Sequence, residues 1–213
     1  ASTDGTNEWL AKQHVRYGQH SGSGTYQSIS YTESIPVATA WNLGCEVAQG
    51  EFVQILNDDM EVTEGWVEQQ KQLYDYLTAS GRKVGVLAAK LLRGDEVLSR
   101  GGAFRGTQLV PVPPPEEVKF VDYSNTPFLK RALWKEVGGF DVHAQMYYED
   151  ASFCLKAQKA GYANYYNPLS VIRHETLGFR PEHGEEQFKR RQHNENVIQA
   201  QARESFLKQW EQY

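Results

Sequence analysis

Three places in this 213-residue chain put side chains able to bind a cation or move a proton at the end of an apolar run or the start of a helix. The first is residues 51–59, EFVQILNDD, in which Phe52, Val53, Ile55 and Leu56 read as a buried strand that stops at Asn57, Asp58 and Asp59. Open α/β sheets collect ligands outside the carboxyl ends of their strands. Carboxylates there would repel a diphosphate unless a hard divalent cation, Mg2+ or Mn2+, lay between them. The second place is Glu149 and Asp150, where Asp150 opens a helix whose Phe153, Ala157 and Ala160 mark a buried stripe. A carboxylate in that first turn feels the helix N-terminus, which favours its ionised, proton-accepting form. The third is His174, which ends an apolar run as Asp59 does. Each has a plainer reading. Asn and Asp are ordinary turn and N-cap residues, and a lone His at a strand end commonly serves as a structural hydrogen-bonding group.

These residues need elements to hold them. A helix starts within the first ten residues, and a strand is expected over 26–31. Helical spacing of Val37, Ala40, Trp41, Cys45 and Ala48 predicts a helix over 35–50. Gly44 at its middle costs about 1 kcal/mol relative to Ala, which implies a close neighbour there. A helix over 64–79 precedes a Val-, Leu- and Ala-rich strand over 83–92. Gly101 and Gly102 allow close approach of backbone to a ligand, or mark a bulge. The segment VPVPPPEE, residues 110–117, reads as a surface loop. Strands over 118–123 and 126–129 lead to a short helix over 131–137, and Pro168 divides strands over 162–167 and 170–174. Residues 175–185 have the composition of a lid. Ile198, Ala202, Phe206 and Trp210 form the docking face of a last helix over 187–210.

Composition narrows the function classes. A net charge of −5 with no basic block argues against a nucleic-acid surface. Hydrophobic content of 40% is that of a globular protein. No apolar stretch approaches the length of a membrane span and the start is not signal-like, so a soluble, cytoplasmic protein is expected, at most peripheral to a membrane. Cys45 and Cys154 lie in apolar helical patterns and are expected as buried free thiols.

The stretches STDGT, NEWL, AWNLGCEVAQGEFVQILNDD, VTEGW, KLLRGDEVLSRGGAF, KEVGGFD, YYEDASFCLKAQKAGY, VIRHE and FLKQW follow one another in an order that resembles family 2 glycosyltransferases of the GT-A fold. The resemblance implies an α/β fold with a Rossmann-like mixed, mostly parallel sheet flanked by helices. It implies one domain over 1–213 with a C-terminal helix, 183–213, packed on it, truncated at the N-terminus because the family's first nucleotide-binding strands are not in the chain. By the same resemblance Asp59 and His174 bind Mn2+ or Mg2+, and Asp150 is the general base. Asn42, Asn57 and Asp58, with Gly101 and Gly102, hold the nucleotide sugar, whereas Trp41 stands where many relatives carry Arg. Glu149 and Trp134 fall on the acceptor side. The implied activity is metal-dependent, inverting transfer of a sugar from a nucleotide diphosphate sugar to a hydroxyl of a glycan, a lipid-linked acceptor or a protein, in glycan or polysaccharide synthesis. A non-catalytic nucleotide- or sugar-binding subunit is the alternative. A nucleotidyltransferase would want a Gly-rich basic loop near the start, which this sequence does not have.

Overall fold

The computed structural model describes residues 5–17, 27–99, 101–105, 108–111, 118–143, 147–174 and 185–210. The chain divides into two compact units, Ala1–Ile35 and Pro36–Tyr213. In the first, α1 (Thr6–Tyr17) begins where the Trp9 N–H donates to the Gly5 carbonyl. Residues 27–31, expected within a strand, form no ladder. Alternation supplies the pattern of a strand but not the partner that a strand needs.

The second unit runs, in chain order, α2 (Val37–Val47), β1 (Phe52–Gln54), β2 (Met60–Val62), α3 (Trp66–Ala79), β3 (Val84–Arg93), β4 (Glu96–Ser99), β5 (Gly102–Arg105), β6 (Gln108–Pro111), β7 (Lys119–Phe120), β8 (Phe128–Lys130), α4 (Arg131–Glu136), α5 (Glu149–Lys159), β9 (Ala163–His174) and α6 (Glu185–Trp210). The main sheet has the order β1-β8-β3-β9-β2, with β4 also on β3 and β7 also on β9; β5 and β6 form a separate pair. Val110 and Pro111 of the expected Pro-rich loop close β6, and its residues 112–117 lie outside the described set, as do 175–184 of the expected lid.

The sheet is mixed as expected, but its balance is not the expected one. Among the described strands β3 and β9 make the parallel pair, and the other ladders are antiparallel. The apolar run of β3 explains the difference. Val84 through Ala89 are all buried, which marks a strand covered on both faces. Coverage does not fix neighbour direction, and β3 has an antiparallel neighbour on one side and a parallel one on the other.

Consecutive residues of β3 meet different layers. Val86 joins Leu133 and Trp134 of α4 and Phe153 and Ala157 of α5, while Leu87 joins Tyr74 and Leu77 of α3. Both are fully buried, and burial of an aliphatic side chain contributes roughly 1.5–3 kcal/mol. Gly44 of α2, expected to face a close neighbour, has nothing within 4 Å of where a Cβ would stand.

Pro168 does not divide two strands. It sits inside β9, where Ala89 pairs with Asn167 and Lys90 pairs with Val171, so Pro168, Leu169 and Ser170 are looped out. Proline cannot donate to a ladder, and ejecting it in a bulge keeps the pairing on either side. The bulge is tied to α3: Ser170 Oγ donates to the Trp66 carbonyl at 2.9 Å and Asn167 Nδ2 to that of Gln69 at 2.9 Å.

Near the end of α6, Phe206 stacks on Tyr148 at 4.9 Å and on Phe104 at 5.7 Å, and Gln209 Nε2 donates to Asp141 Oδ2 at 2.7 Å. Cys45 and Cys154 are free and buried. Burial pushes the Cys45 thiol up to about 11 and raises that of Cys154 as well. Among the described residues no helix is long and apolar enough to cross a membrane.

Candidate active site

The run of Asn and Asp after β1 is a turn, closed by the Met60 N–H donating to the Asn57 carbonyl at 3.3 Å. That turn feeds β2, a strand too short to leave a periodic signal. Met60 of β2 stands opposite His174 of β9 in the antiparallel ladder. The register brings Asp59, one residue earlier, against the imidazole: His174 Nε2 is 3.0 Å from Asp59 Oδ1. Oδ1 is buried and takes part in no hydrogen bond among the described residues, so proximity here is not matched by hydrogen-bond geometry. Asn57 and Asp58, at the start of the turn, are exposed.

A buried carboxylate oxygen without a hydrogen bond, beside an imidazole nitrogen, fits a hard or borderline divalent cation. Two ligands about 3.0 Å apart also match the edge of an octahedron with ligand distances near 2.1 Å. Among the described residues no group of three or more His, Cys, Asp or Glu gathers around one point. The pair would therefore share its cation with oxygens from a ligand or water.

Asn57, Glu149, Asp150 and His174 line one cavity of about 630 Å³, whose wall also includes Trp41, Arg93 and Tyr123. Of the expected site residues these four meet directly, with Asp59 in contact through His174. Asp58 is not on the cavity wall.

Glu149 and Asp150 open α5 after two residues in the left-handed region, Tyr147 at φ 74° and Tyr148 at φ 68°. Non-glycine residues there cost roughly 1–2 kcal/mol each, and such outliers cluster at functional sites. The Tyr147 N–H donates to Glu149 Oε1 at 2.9 Å, so the buried Glu149 closes its own entry turn. Burial raises its pKa, partly offset by hydrogen bonds from the backbone. Asp150 keeps some surface, but its carboxyl is enclosed, and burial pushes it up to about 7 against the hydrogen bond it accepts from the Ala151 N–H at 2.8 Å. The helix N-terminus was expected to hold Asp150 in its ionised form. Desolvation outweighs it, and the charge of Glu149 adds to the rise.

Asn42 and Trp134 serve elsewhere. Asn42 Oδ1 accepts from Trp134 Nε1 at 2.9 Å and from the Phe140 N–H at 2.8 Å, and its Nδ2 donates to the Phe140 carbonyl at 2.9 Å. Its amide clamps the turn after α4, and Trp134 is buried in the core instead of facing an acceptor. Trp41, by contrast, reaches the cavity with its ring edge-on to Phe140 at 5.2 Å. Gly101 and Gly102 do allow a close approach, to Tyr123. A Cβ on Gly102 would stand 2.2 Å from the Tyr123 ring, and Gly101, at φ +73°, would meet the Tyr123 carbonyl at 2.5 Å. The glycines act on the cavity through the tyrosine that they seat in its wall. Arg93 and Tyr123 were missed from sequence: Arg93 sits inside the KLLRGDE stretch with nothing to single it out, and Tyr123 follows a two-residue strand.

No family model matches this sequence, and no curated protein does. Solved structures do match. A crystal structure of GalNAc-T7 with UDP, GalNAc and Mn2+ superposes with a TM-score of 0.63 at 16% identity, over 82% of this chain. The match spans 36% of the length of that chain. With the mixed sheet and its flanking helices, this likeness shows that the α/β fold is of the GT-A type.

Proposed function

We propose that the protein is a metal-dependent inverting glycosyltransferase, related to family 2, that moves a sugar from a nucleotide diphosphate sugar to a hydroxyl acceptor in glycan or polysaccharide synthesis. The observation that carries this reading is the single cavity of about 630 Å³ that has Asp150 and His174 in its wall, with Asp59 against His174. The neighbouring fold was solved with UDP, GalNAc and Mn2+, which supports a nucleotide sugar and a divalent cation as the ligands to try first.

In the proposed reaction the acceptor oxygen attacks the anomeric carbon while the bond from that carbon to the diphosphate oxygen breaks. The electron pair leaves with the diphosphate and the acceptor proton passes to Asp150. A carboxyl poised at about 7 suits that task, because a base near working pH is both ionised and able to hold the proton. Asp59 and His174 would hold the cation, which offsets charge building on the leaving diphosphate. Arg93, in the same wall, adds a positive charge to the cavity. Attack from the face opposite the leaving group inverts the anomeric centre.

The test is incubation of the full chain with Mn2+ and a panel of UDP- and GDP-sugars, with product configuration read by proton NMR. The expected result is transfer or slow hydrolysis with an inverted anomeric centre. Retained configuration would remove the inverting assignment. Binding of the nucleotide without turnover would favour a non-catalytic binding subunit.

A further inference from the structure

Ser99 and Asn125 stand together on the wall of the cavity, the one at the end of β4 and the other between β7 and β8. The segment that carries Asn125 is anchored in the core. Ser124 and Thr126 are buried on either side of it, the Ala89 N–H of β3 donates to Thr126 Oγ1 at 3.2 Å, and the Thr126 N–H donates to Ser124 Oγ at 3.1 Å. Asn125 itself is exposed, so this anchored backbone fixes an amide at the cavity surface.

The amide has a fixed sense as well as a fixed place. The Gly101 N–H donates to Ser99 Oγ at 3.2 Å, and the Ser99 hydroxyl donates in turn to Asn125 Oδ1. With its oxygen taken, the amide is left with Nδ2, which donates to no group among the described residues. That atom carries two N–H donors. A donor already held in place loses little freedom when it meets a ligand oxygen, so more of the hydrogen bond appears as affinity.

From this we infer that Asn125 is a specificity-determining residue, donating from Nδ2 to an oxygen on the ring of the transferred sugar, a hydroxyl or the carbonyl of an N-acetyl group, with Ser99 as the positioning residue that turns its amide. The inference rests on the proposed transferase reading. Place argues for the sugar over the nucleobase. Two residues of chain reach at most about 7 Å, so the Cα of Asn125 lies within that distance of the Cα of Tyr123. Tyr123 and Asp150 line the same wall and are coupled: burial raises the pKa of the phenol, and the carboxylate charge adds to the rise. A base that takes the acceptor proton lies beside the reacting anomeric carbon. The amide of Asn125 therefore falls alongside the ring that contains that carbon. In the proposed reaction the diphosphate is met by the cation and Arg93, which leaves the neutral amide for a neutral oxygen.

The experiment is titration calorimetry of the full chain with Mn2+ and, in turn, UDP-glucose, UDP-N-acetylglucosamine, GDP-mannose, UDP and GDP. Asn125→Ala should weaken binding of the preferred nucleotide sugar about two- to tenfold, the worth of one hydrogen bond, and leave that of the bare nucleotide unchanged. Asn125→Asp keeps an oxygen for the Ser99 hydroxyl but presents an acceptor where the donor was. It should lose at least as much for the nucleotide sugar without lowering the melting temperature. Ser99→Ala, which releases the amide but leaves its N–H groups, should fall between wild type and Asn125→Ala. For the two UDP-sugars, a loss with both assigns the contact to a hydroxyl, and a loss confined to the N-acetyl sugar assigns it to the carbonyl. Nucleotide sugar affinity that survives Asn125→Asp, or that falls no further than nucleotide affinity in Asn125→Ala, overturns the inference and leaves the transferase reading standing. A wild-type chain that binds none of these ligands removes that reading, and this inference with it.

Discussion

Asp150 concentrates the chemistry at the residue scale. Its carboxyl has been raised from 3.8 to about 7, so it binds its proton more tightly in the folded chain than in the unfolded one. Folding stability therefore falls as pH rises between about 4 and 7, and the ionised carboxylate is a cost above that window. Asp150→Asn should melt close to wild type at pH 5 and above it at pH 8, as read by thermal unfolding at both values. Turnover should fall by about 10²–10⁴-fold in the same variant, with nucleotide and Mn2+ binding retained. For the wild type, kcat/KM should climb with pH to half its maximum near 7. Residue type singled out Asp59, Asp150 and His174 in the sequence, but each also had a plainer use as a turn, cap or structural residue, and only the fold sets Asp59 beside His174 and puts Asp150 and His174 in one cavity wall. The resemblance set Asn42 at the nucleotide, whereas its amide bonds Phe140, 98 positions away. No local pattern distinguishes an amide that clamps a distant turn from one that faces a ligand.

At the scale of elements, the long periodic segments were legible: α2, α3, β3 and α6 fall where hydrophobic spacing puts them. The short ones were not. β2 has three residues, and the turn before it reads as a cap until β9 supplies its partner. Glycine roles also needed the fold. Gly102→Ala would drive a Cβ into the ring of Tyr123, so a loss of roughly 1–3 kcal/mol is expected, together with weaker nucleotide binding as the ring shifts in the cavity wall. Gly44→Ala, with open space around it in the middle of α2, should instead gain about 1 kcal/mol. Urea midpoints of the two variants provide the contrast, and a destabilised Gly44→Ala would show that α2 packs more tightly there than this arrangement allows.

For the Pro36–Tyr213 unit as a whole, α6 joins parts of the chain that are far apart in sequence. Phe206 stacks on Phe104 and on Tyr148, and Tyr148 belongs to the left-handed pair that aims α5. Phe206→Ala should cost about 3 kcal/mol, as large aromatic truncations in a core do, and should speed amide exchange in both α6 and the first turn of α5. Exchange confined to α6 would mean that the stack is not what holds Tyr148. The docking face of α6 could be read from its spacing, but its aromatic partners, about a hundred and about sixty residues upstream, could not.

The bulge in β9 makes the strand tolerant of length change at one point. Each half of β9 keeps its own ladder, and the ejected loop between them can lengthen or shorten while the far half stays in register beside β2 and β3. An insertion or deletion of one residue from Val171 onward has no such slack: it would carry the imidazole to the opposite side of the sheet and part it from its carboxylate. Variation in chain length should thus be admissible at Pro168–Ser170 and excluded only a few positions later.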